Sequence, residues 1–372
     1  MSTSSTPMYE QIQDELMEQI QSGVFQPGDR IPSEKELAER YHVSRITAVK
    51  ALTELALNGY IYRVQGRGSF ANPLDKHLKP SALKLGGVPK NDGEPCPVSV
   101  LIPEHADYHS GSIIQGITQT LQYPECFVHL VLTHSNQLEE YALEQALKSG
   151  CAGVILFPVD CEVYSDTILR MHLNKFPLVL IDRCFPGIQS SCVCCDNEKG
   201  GWLAVEHLLS LGHRNICFIA DSSFREQVTS VRYGAYVAAM TAQQLPLHAV
   251  ERFNPQTFSQ EEMERLLSAI RAREITAALV SNSHAAEWLL ELCQTGGIRI
   301  PEELSVVCFD QPRIFQGMEP LFTYVEQNSF EMGRRAAELL REAFETGQEH
   351  ACQKLVLEPK LMIHHSTQTF VK

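Results

Sequence analysis

Two groups of residues in this chain have types and spacings suited to binding chemistry. The first follows a series of short apolar runs. Pro103-Glu104-His105 and Tyr108-His109-Ser110 come after the run 98–102. Asp182-Arg183 follows 178–181, Ser281-Asn282-Ser283 follows 277–280, and Asp310-Gln311 follows 305–309. Arg232 sits in a helical stretch after 216–220. Carboxylates, amides and an arginine gathered at one cleft, with Tyr108, Phe157 and Phe309 to stack, suit a polyhydroxylated ligand. Each hydroxyl of such a ligand both donates and accepts, and these side chains supply both partners. The second group is basic. Arg45, Thr47 and Lys50 share the polar face of a short helix, and Gln65-Gly66-Arg67-Gly68 joins two short strands after it. A polar helix followed by a basic glycine hairpin suits duplex DNA: the helix enters the major groove and the hairpin reaches the minor groove or backbone.

The elements that must hold the basic group are legible in residues 28–70. Ser33 is a helix N-cap with Glu36 placed to complete a capping box. Leu37 and Ala38 give that helix its apolar face, and it ends near Tyr41. Val43-Ser44 makes a turn, and Ser44 caps the next helix. Ala48, Leu52, Leu55 and Ala56 recur at helical spacing and bury one side of it. Asn58-Gly59 stops it, and strands 60–64 and 69–71 form a wing. The fold expected here is a winged helix-turn-helix. Residues 73–96, rich in proline, glycine, lysine and polar residues, read as a linker.

From residue 97 the pattern alternates between strand and helix. Strands are expected at 98–102, 127–132, 153–157, 178–181, 192–195, 216–220, 277–280 and 305–309. Helices are expected at 110–121, 137–148, 197–211, 231–243, 259–272, 284–295 and 328–345. Such alternation gives parallel sheets covered by helices, and the length implies two doubly wound lobes. Ligands in α/β folds of this kind sit at the carboxyl ends of strands, where the first group of residues lies. Trp202 and Trp288 occupy helical core spacing and read as packing residues.

Composition restricts the function classes. No apolar run has the length of a membrane span and the N-terminus is not a signal peptide, so a soluble, cytoplasmic protein without membrane partners is expected. The 12 cysteines should therefore be reduced thiols. Cys192, Cys194 and Cys195 lack a second ligand pair at zinc-finger spacing and alternate like a buried strand, so no metal and no cofactor is expected. The formal charge of −14 belongs to the large domain, since acids and bases nearly balance over residues 1–80. There is no nucleotide-binding glycine loop, GxSxG elbow or paired catalytic motif, so the chain does not read as an enzyme.

Residues 7–72 resemble the DNA-binding domain of GntR-type regulators, through PMYEQIQDELMEQIQSG, PGDRIPSEKELAERY, VSRITAVKALTEL and QGRGSF. The resemblance implies DNA contacts from Lys35, Ser44, Arg45, Thr47, Gly66, Arg67 and Gly68, to which the helix face adds Lys50. Relatives carry a basic residue where this chain has Val49. Residues 97–368 resemble the effector domain of LacI-type repressors, which is similar to periplasmic sugar-binding proteins. The matching motifs include FPLVLIDR, VCCDNEKGG, HLLSLGHRNICFIA, SVRYGAYVAAM, AALVSNSHAAEWLL and IRIPEELSVVCFD. This resemblance implies ligand contacts from Asp182, Arg232, Asn282, Asp310 and Gln327; the strand-end reading adds His105 and Tyr108. Ser283, Cys308 and His364 depart from the family pattern.

The combination resembles the arabinose-responsive repressors of bacteria. It implies a DNA-binding head over 1–72, the linker, and an effector-binding and dimerisation domain over 97–372. Lobe 1 is expected to hold about 97–195 plus 327–344, and lobe 2 about 196–326 plus 345–372. The implied partners are palindromic operator DNA, a second copy of the chain and a sugar whose binding relieves repression of carbohydrate-utilisation genes.

Overall fold

The computed structural model describes residues 8–26, 28–57, 60–64, 68–71, 95–104, 107–122, 125–159, 165–185, 190–224, 226–312, 322–346 and 352–371. They form two compact units, divided between Lys84 and Leu85. Most of the expected linker lies outside the described residues, as do His105, Gly66 and Arg67.

The first unit contains α1 (Met8–Gln21), β1 (Arg30–Ile31), α2 (Glu34–Tyr41), α3 (Arg45–Leu57), β2 (Ile61–Val64) and β3 (Gly68–Ala71). Ile12, Leu16 and Ile20 form a fully buried stripe on α1, and pack with Leu37, Ala48, Leu52 and Leu55 in one core. Ser33 and Glu36 make the reciprocal capping box, which typically stabilises a helix by about 1 kcal/mol. The wing strands β2 and β3 pair antiparallel, and β1 adds to β3. Gly68 has φ +109°, where a side chain would be strained and its Cβ would meet Arg30 Nε at 3.3 Å.

In the second unit the chain runs β4 (Cys96–Pro103), α4 (Tyr108–Thr120), β5 (Cys126–Thr133), α5 (Asn136–Lys148), β6 (Gly153–Leu156), α6 (Asp166–Leu173), β7 (Leu178–Ile181) and β8 (Ser191–Cys195). It continues through α7 (Asn197–Ser210), β9 (Ile216–Ile219), α8 (Gln227–Ala242), β10 (His248–Val250), α9 (Gln260–Arg271), β11 (Ala277–Val280), α10 (Ser283–Thr295), β12 (Ser305–Phe309) and β13 (Thr323–Glu326). It ends with α11 (Ser329–Thr346), β14 (Lys354–Leu357) and β15 (Lys360–Met362). Two six-stranded sheets result, ordered β5-β4-β6-β7-β8-β14 and β10-β9-β11-β12-β13-β15. The two lobes repeat one plan. Their pairings are parallel except that β15 runs antiparallel to β13.

Crossing between lobes occurs after β8, after β13 and between β14 and β15. Helix α7 packs on α8 in the second lobe, whereas α11 returns to pack on α4 in the first. That packing is close because Gly116 and Gly333 face the other helix's backbone: a Cβ on Gly116 would lie 2.1 Å from Phe330 O, and one on Gly333 2.1 Å from Ile113 O. The expected lobe boundary at 345 needs correction. Lys354–Leu357 pairs with β8 in the first sheet, so the last crossing falls between Leu357 and Lys360. The alternating pattern of exposure along β14 belongs to an edge strand, which gives no long apolar run to read. Trp202 and Trp288 pack against the two cores of the second lobe.

Reduced thiols throughout were also expected, and the structure differs. Cys184, in the loop after β7, is disulfide-bonded to Cys192 on β8. Adjacent parallel strands bring the two together across a separation of 8 residues.

Candidate functional site

The strand ends of both lobes open onto a cleft of about 910 Å³, a size usual for small-ligand sites. Its floor is a chain of polar contacts that spans the lobes. Arg232, in the second turn of α8, is 4% exposed and fully engaged. Its Nε donates to Asn197 Oδ1 (2.7 Å), Nη1 to the Ser281 carbonyl, and Nη2 to Gln327 Oε1 (2.9 Å). The guanidinium also lies 3.8 Å from the centroid of the Phe309 ring, an attractive cation–π geometry. Gln327 passes the chain onward, its Nε2 donating to Asp310 Oδ2 at 2.7 Å. Asp310 Oδ1 is 3.6 Å from His109 Nδ1, and His109 Nε2 is 3.4 Å from Asp182 Oδ1. Ser329 Oγ lies 2.7 Å from His109 Nδ1.

Asp182 and Asp310 each follow a central strand, and both have a left-handed backbone, φ 64° and 62°. For non-glycine residues that conformation costs of order 1–3 kcal/mol and collects at functional sites. It turns each carboxylate toward the cleft, while its backbone N–H donates to the neighbouring strand, at Val193 O or Val325 O.

Burial shapes the charges. Burial alone would lower the His109 pKa, but Asp310 and Asp182 overcome it and push the imidazole up to about 9. Burial pushes Asp310 up to about 6, although His109, Arg232 and Gln327 act in the opposite direction. Burial would also raise Asp182, yet His109, 3.4 Å away, holds it below the usual carboxylate range together with the charges of Arg183 and Arg232. His109 is therefore a cation between two acids, one from each lobe.

The cleft also presents polar atoms that the protein leaves for something else. Arg183 Nε, which lies 3.7 Å from Asp182 Oδ2, and Gln227 Oε1 and Ser281 Oγ are buried and have no hydrogen-bond partner among the described residues. All three residues line the cleft. Leaving such groups unmet costs about 1–3 kcal/mol each, and a ligand with several hydroxyls could meet them.

Asp182, Arg232, Asn282, Asp310 and Gln327 all line the cleft. Asn282 has work within the fold: its Oδ1 caps α10 at Ala285 N (2.9 Å), and its Nδ2 donates to Asp221 (2.8 Å). Tyr108 does not line the cleft and is 48% exposed. Asp107 caps α4, so the next position along the helix, about 100° around, points inward, and that residue is His109. Phe157 meets His109 edge-on at 5.9 Å between ring centroids. Sequence reasoning missed the roles of His109, Arg183, Asn197 and Asp221. His109 stood in a polar run already singled out, and its signal was the cap two residues before it.

In the head, Arg45 opens α3 and is exposed. Ser44 Oγ accepts from Thr47 N at 3.2 Å and lies 2.8 Å from Thr47 Oγ1, so these two residues build the helix start. Lys35 is exposed on α2, 4.0 Å from Glu39. Lys50 Nζ sits 3.4 Å above the Tyr9 ring of α1, which engages it inside the domain. His364, one of the departures, stacks on Tyr324. Ser283, another, is buried in the first turn of α10 behind the Asn282 cap.

Comparisons with known proteins agree with both halves. Residues 8–70 match the bacterial regulatory proteins of the gntR family, and residues 205–367 match the periplasmic binding protein-like domain. The chain is similar to an arabinose metabolism transcriptional repressor of Geobacillus stearothermophilus, with 26% identity over 377 residues, 99% of this chain and 100% of the relative. The HTH-type transcriptional regulator DegA of Bacillus subtilis is 32% identical over 279 residues, 73% of this chain and 80% of that protein. Among solved structures, a LacI family transcriptional regulator from Enterococcus faecium with bound ribose has a TM-score of 0.62 at 23% identity. That likeness covers 74% of this chain and 100% of that one, and concerns the fold.

Proposed function

This chain belongs to the HTH-type transcriptional regulators, and on that premise we propose that it is a sugar-responsive repressor of carbohydrate-utilisation genes. The head binds operator DNA through Arg45 and Lys35, supported by Ser44 and Thr47 and by the wing. A small polyhydroxylated molecule binds the cleft. The relative named an arabinose metabolism transcriptional repressor makes a pentose the first candidate.

One observation carries the ligand reading: the polar chain from Arg232 through Gln327, Asp310 and His109 to Asp182 takes partners from both lobes. A ligand seated on it contacts both lobes at once. It therefore binds the closed arrangement better than the open one, and that differential affinity is what shifts the regulator between states.

A catalytic reading has one observation in its favour. Ser329, His109 and Asp182 stand in the order of a hydrolytic triad. Ser329, however, is 0% exposed at the start of α11, so its hydroxyl is closed to a substrate. His109 also faces a second carboxylate, which holds it as a cation instead of a base. Both observations speak against a hydrolytic triad and favour reading the cleft as a binding site.

The regulator works as a cytoplasmic homodimer on a palindromic site, since a two-fold protein and a two-fold operator match half-site by half-site. No helix among the described residues is long and apolar enough to cross a membrane. The edge strand β5 exposes Phe127, Leu130 and Leu132, with Tyr141 exposed on α5. Such an apolar edge suits a second copy of the chain. A thermal-shift screen against pentoses, hexoses and their phosphates tests the ligand class. Stabilisation by at least one free sugar is expected, and a flat response across the panel would reject the reading.

A further inference from the structure

The first lobe gathers three sulfurs that the regulatory reading does not use. Cys192 and Cys194 are two residues apart on β8 and so project from the same face. Both pack into the core that includes Leu156, Met171 and Leu180, whereas Val193 and Cys195 pack into the opposite one. Strand β7 is the neighbour of β8, and the loop that leaves it carries Cys184 to that same face. The three Sγ atoms all lie within 4.8 Å of one another. Cys192 and Cys194 are buried and Cys184 is half-buried. Lys354 on β14 is the register partner of Cys192.

We propose that Cys184, Cys192 and Cys194, when reduced, form a three-sulfur site for a thiophilic metal ion of the zinc, cadmium or cuprous class. The donor set decides the class: thiolate sulfur selects soft and borderline ions over magnesium or calcium, which require oxygen. Three thiolates leave room for a water or for three-coordination, as an open zinc-type site does. Binding a divalent ion to three thiols forms three metal–sulfur bonds and releases three protons. The disulfide between Cys184 and Cys192 is the oxidised form of the same site. A dithiol reductant converts it by giving two electrons and two protons and becoming a disulfide itself. Metal and disulfide are therefore mutually exclusive occupants.

The location gives the site a path to the cleft. Cys184 follows Asp182 and Arg183 directly, and its carbonyl accepts from Gln227 Nε2 at 3.0 Å. Gln227 belongs to the second lobe and lines the cleft. Locking Cys184 to β8 fixes the loop that this contact reads.

The test uses the full chain, reduced with a dithiol that is then removed anaerobically, and titrated with cadmium. The expected result is one equivalent bound, with thiolate-to-cadmium charge-transfer absorption and release of three protons. Cys184→Ser, Cys192→Ser and Cys194→Ser should each weaken uptake by more than the roughly 10–100-fold that losing an outer-shell partner costs. Cys126→Ser and Cys352→Ser should leave it unchanged. Protein whose Cys184–Cys192 bond is intact should not take up the tight equivalent, which gives a second test if a variant misfolds. The proposal is overturned if reduced wild type binds no tight equivalent, if the oxidised protein binds cadmium equally well, or if uptake follows Cys126 or Cys352.

Discussion

Asp182 and Asp310 occupy equivalent places in the two lobes and close on the same imidazole. Each is the first residue past a central strand, each has a left-handed backbone, and His109 lies 3.4 Å from one and 3.6 Å from the other. The two halves of the large domain are thus joined through a charged histidine at the floor of the cleft.

That arrangement predicts a pH dependence. The His109 pKa is raised to about 9 in the folded protein, above the ordinary value near 6.5. A raised pKa means that its contribution is fully present below pH 6.5 and is lost as pH rises through 9. Asp310, raised to about 6, acts in the same direction over roughly pH 4–6. The unfolding free energy of the large domain, read from urea curves, should fall between pH 6.5 and 9 by on the order of 3 kcal/mol for the histidine. Trp202 and Trp288, both in the second lobe, report the unfolding. In His109→Gln the slope over this window should flatten.

Arg232→Ala should cost stability as well as ligand response. Asn197, Gln327 and the Ser281 carbonyl lose their donor in a buried site, at about 1–3 kcal/mol for each group left unmet. Calorimetry with a sugar found by screening should show no binding, while the separate head still shifts operator DNA on a gel. Wild-type sugar affinity in this variant would remove Arg232 from the site.

How much of this was readable beforehand differs by element. The apolar runs of β7, β11 and β12 gave their strands outright, because buried parallel strands are continuous in hydrophobicity. Short edge strands such as β10 and β14 were missed, since their residues alternate between exposed and half-buried and none is fully buried. Asp182, Arg232 and Asp310 were legible from strand-end position. His109 was legible only in its direction, from the Asp107 cap; its partners arise from convergence of α4, β7 and β12 across more than 200 residues of chain, which no local pattern encodes. Lys50 was placed on the outer helix face from its spacing, and the structure seats it on Tyr9.

Arg45 and Lys50 should separate in the head. Arg45→Ala is expected to weaken specific DNA binding by about 1–3 kcal/mol, as loss of a base or bidentate contact does. Lys50→Ala should cost DNA affinity less and head stability more, by about 0.5–1 kcal/mol for the cation–π contact. Gel shifts on operator and scrambled DNA, with thermal unfolding of each variant, give both numbers.

Gly333→Ala should destabilise the large domain by about 1–3 kcal/mol. Its Cβ would press on the Ile113 carbonyl at 2.1 Å, and two helix backbones must separate to admit it. A chemical denaturation curve superposing on wild type would show that the helices are not this close.

Leu130→Asp on the exposed edge strand β5 should convert a dimer to a monomer, read by light scattering at micromolar concentration. A monomeric wild type, with and without DNA, would instead remove the dimer from the account.

The central claim is that a sugar on the interlobe polar chain controls the grip of the head on DNA. Fluorescence anisotropy tests it directly, using a labelled duplex selected by the protein from a random pool and titrated with free pentoses and hexoses. At least one sugar should release the DNA from wild type, and Asp310→Asn should hold the DNA with wild-type affinity yet fail to release it. Release that is equally sensitive to that sugar in wild type and Asp310→Asn, or no release by any sugar, would contradict the account.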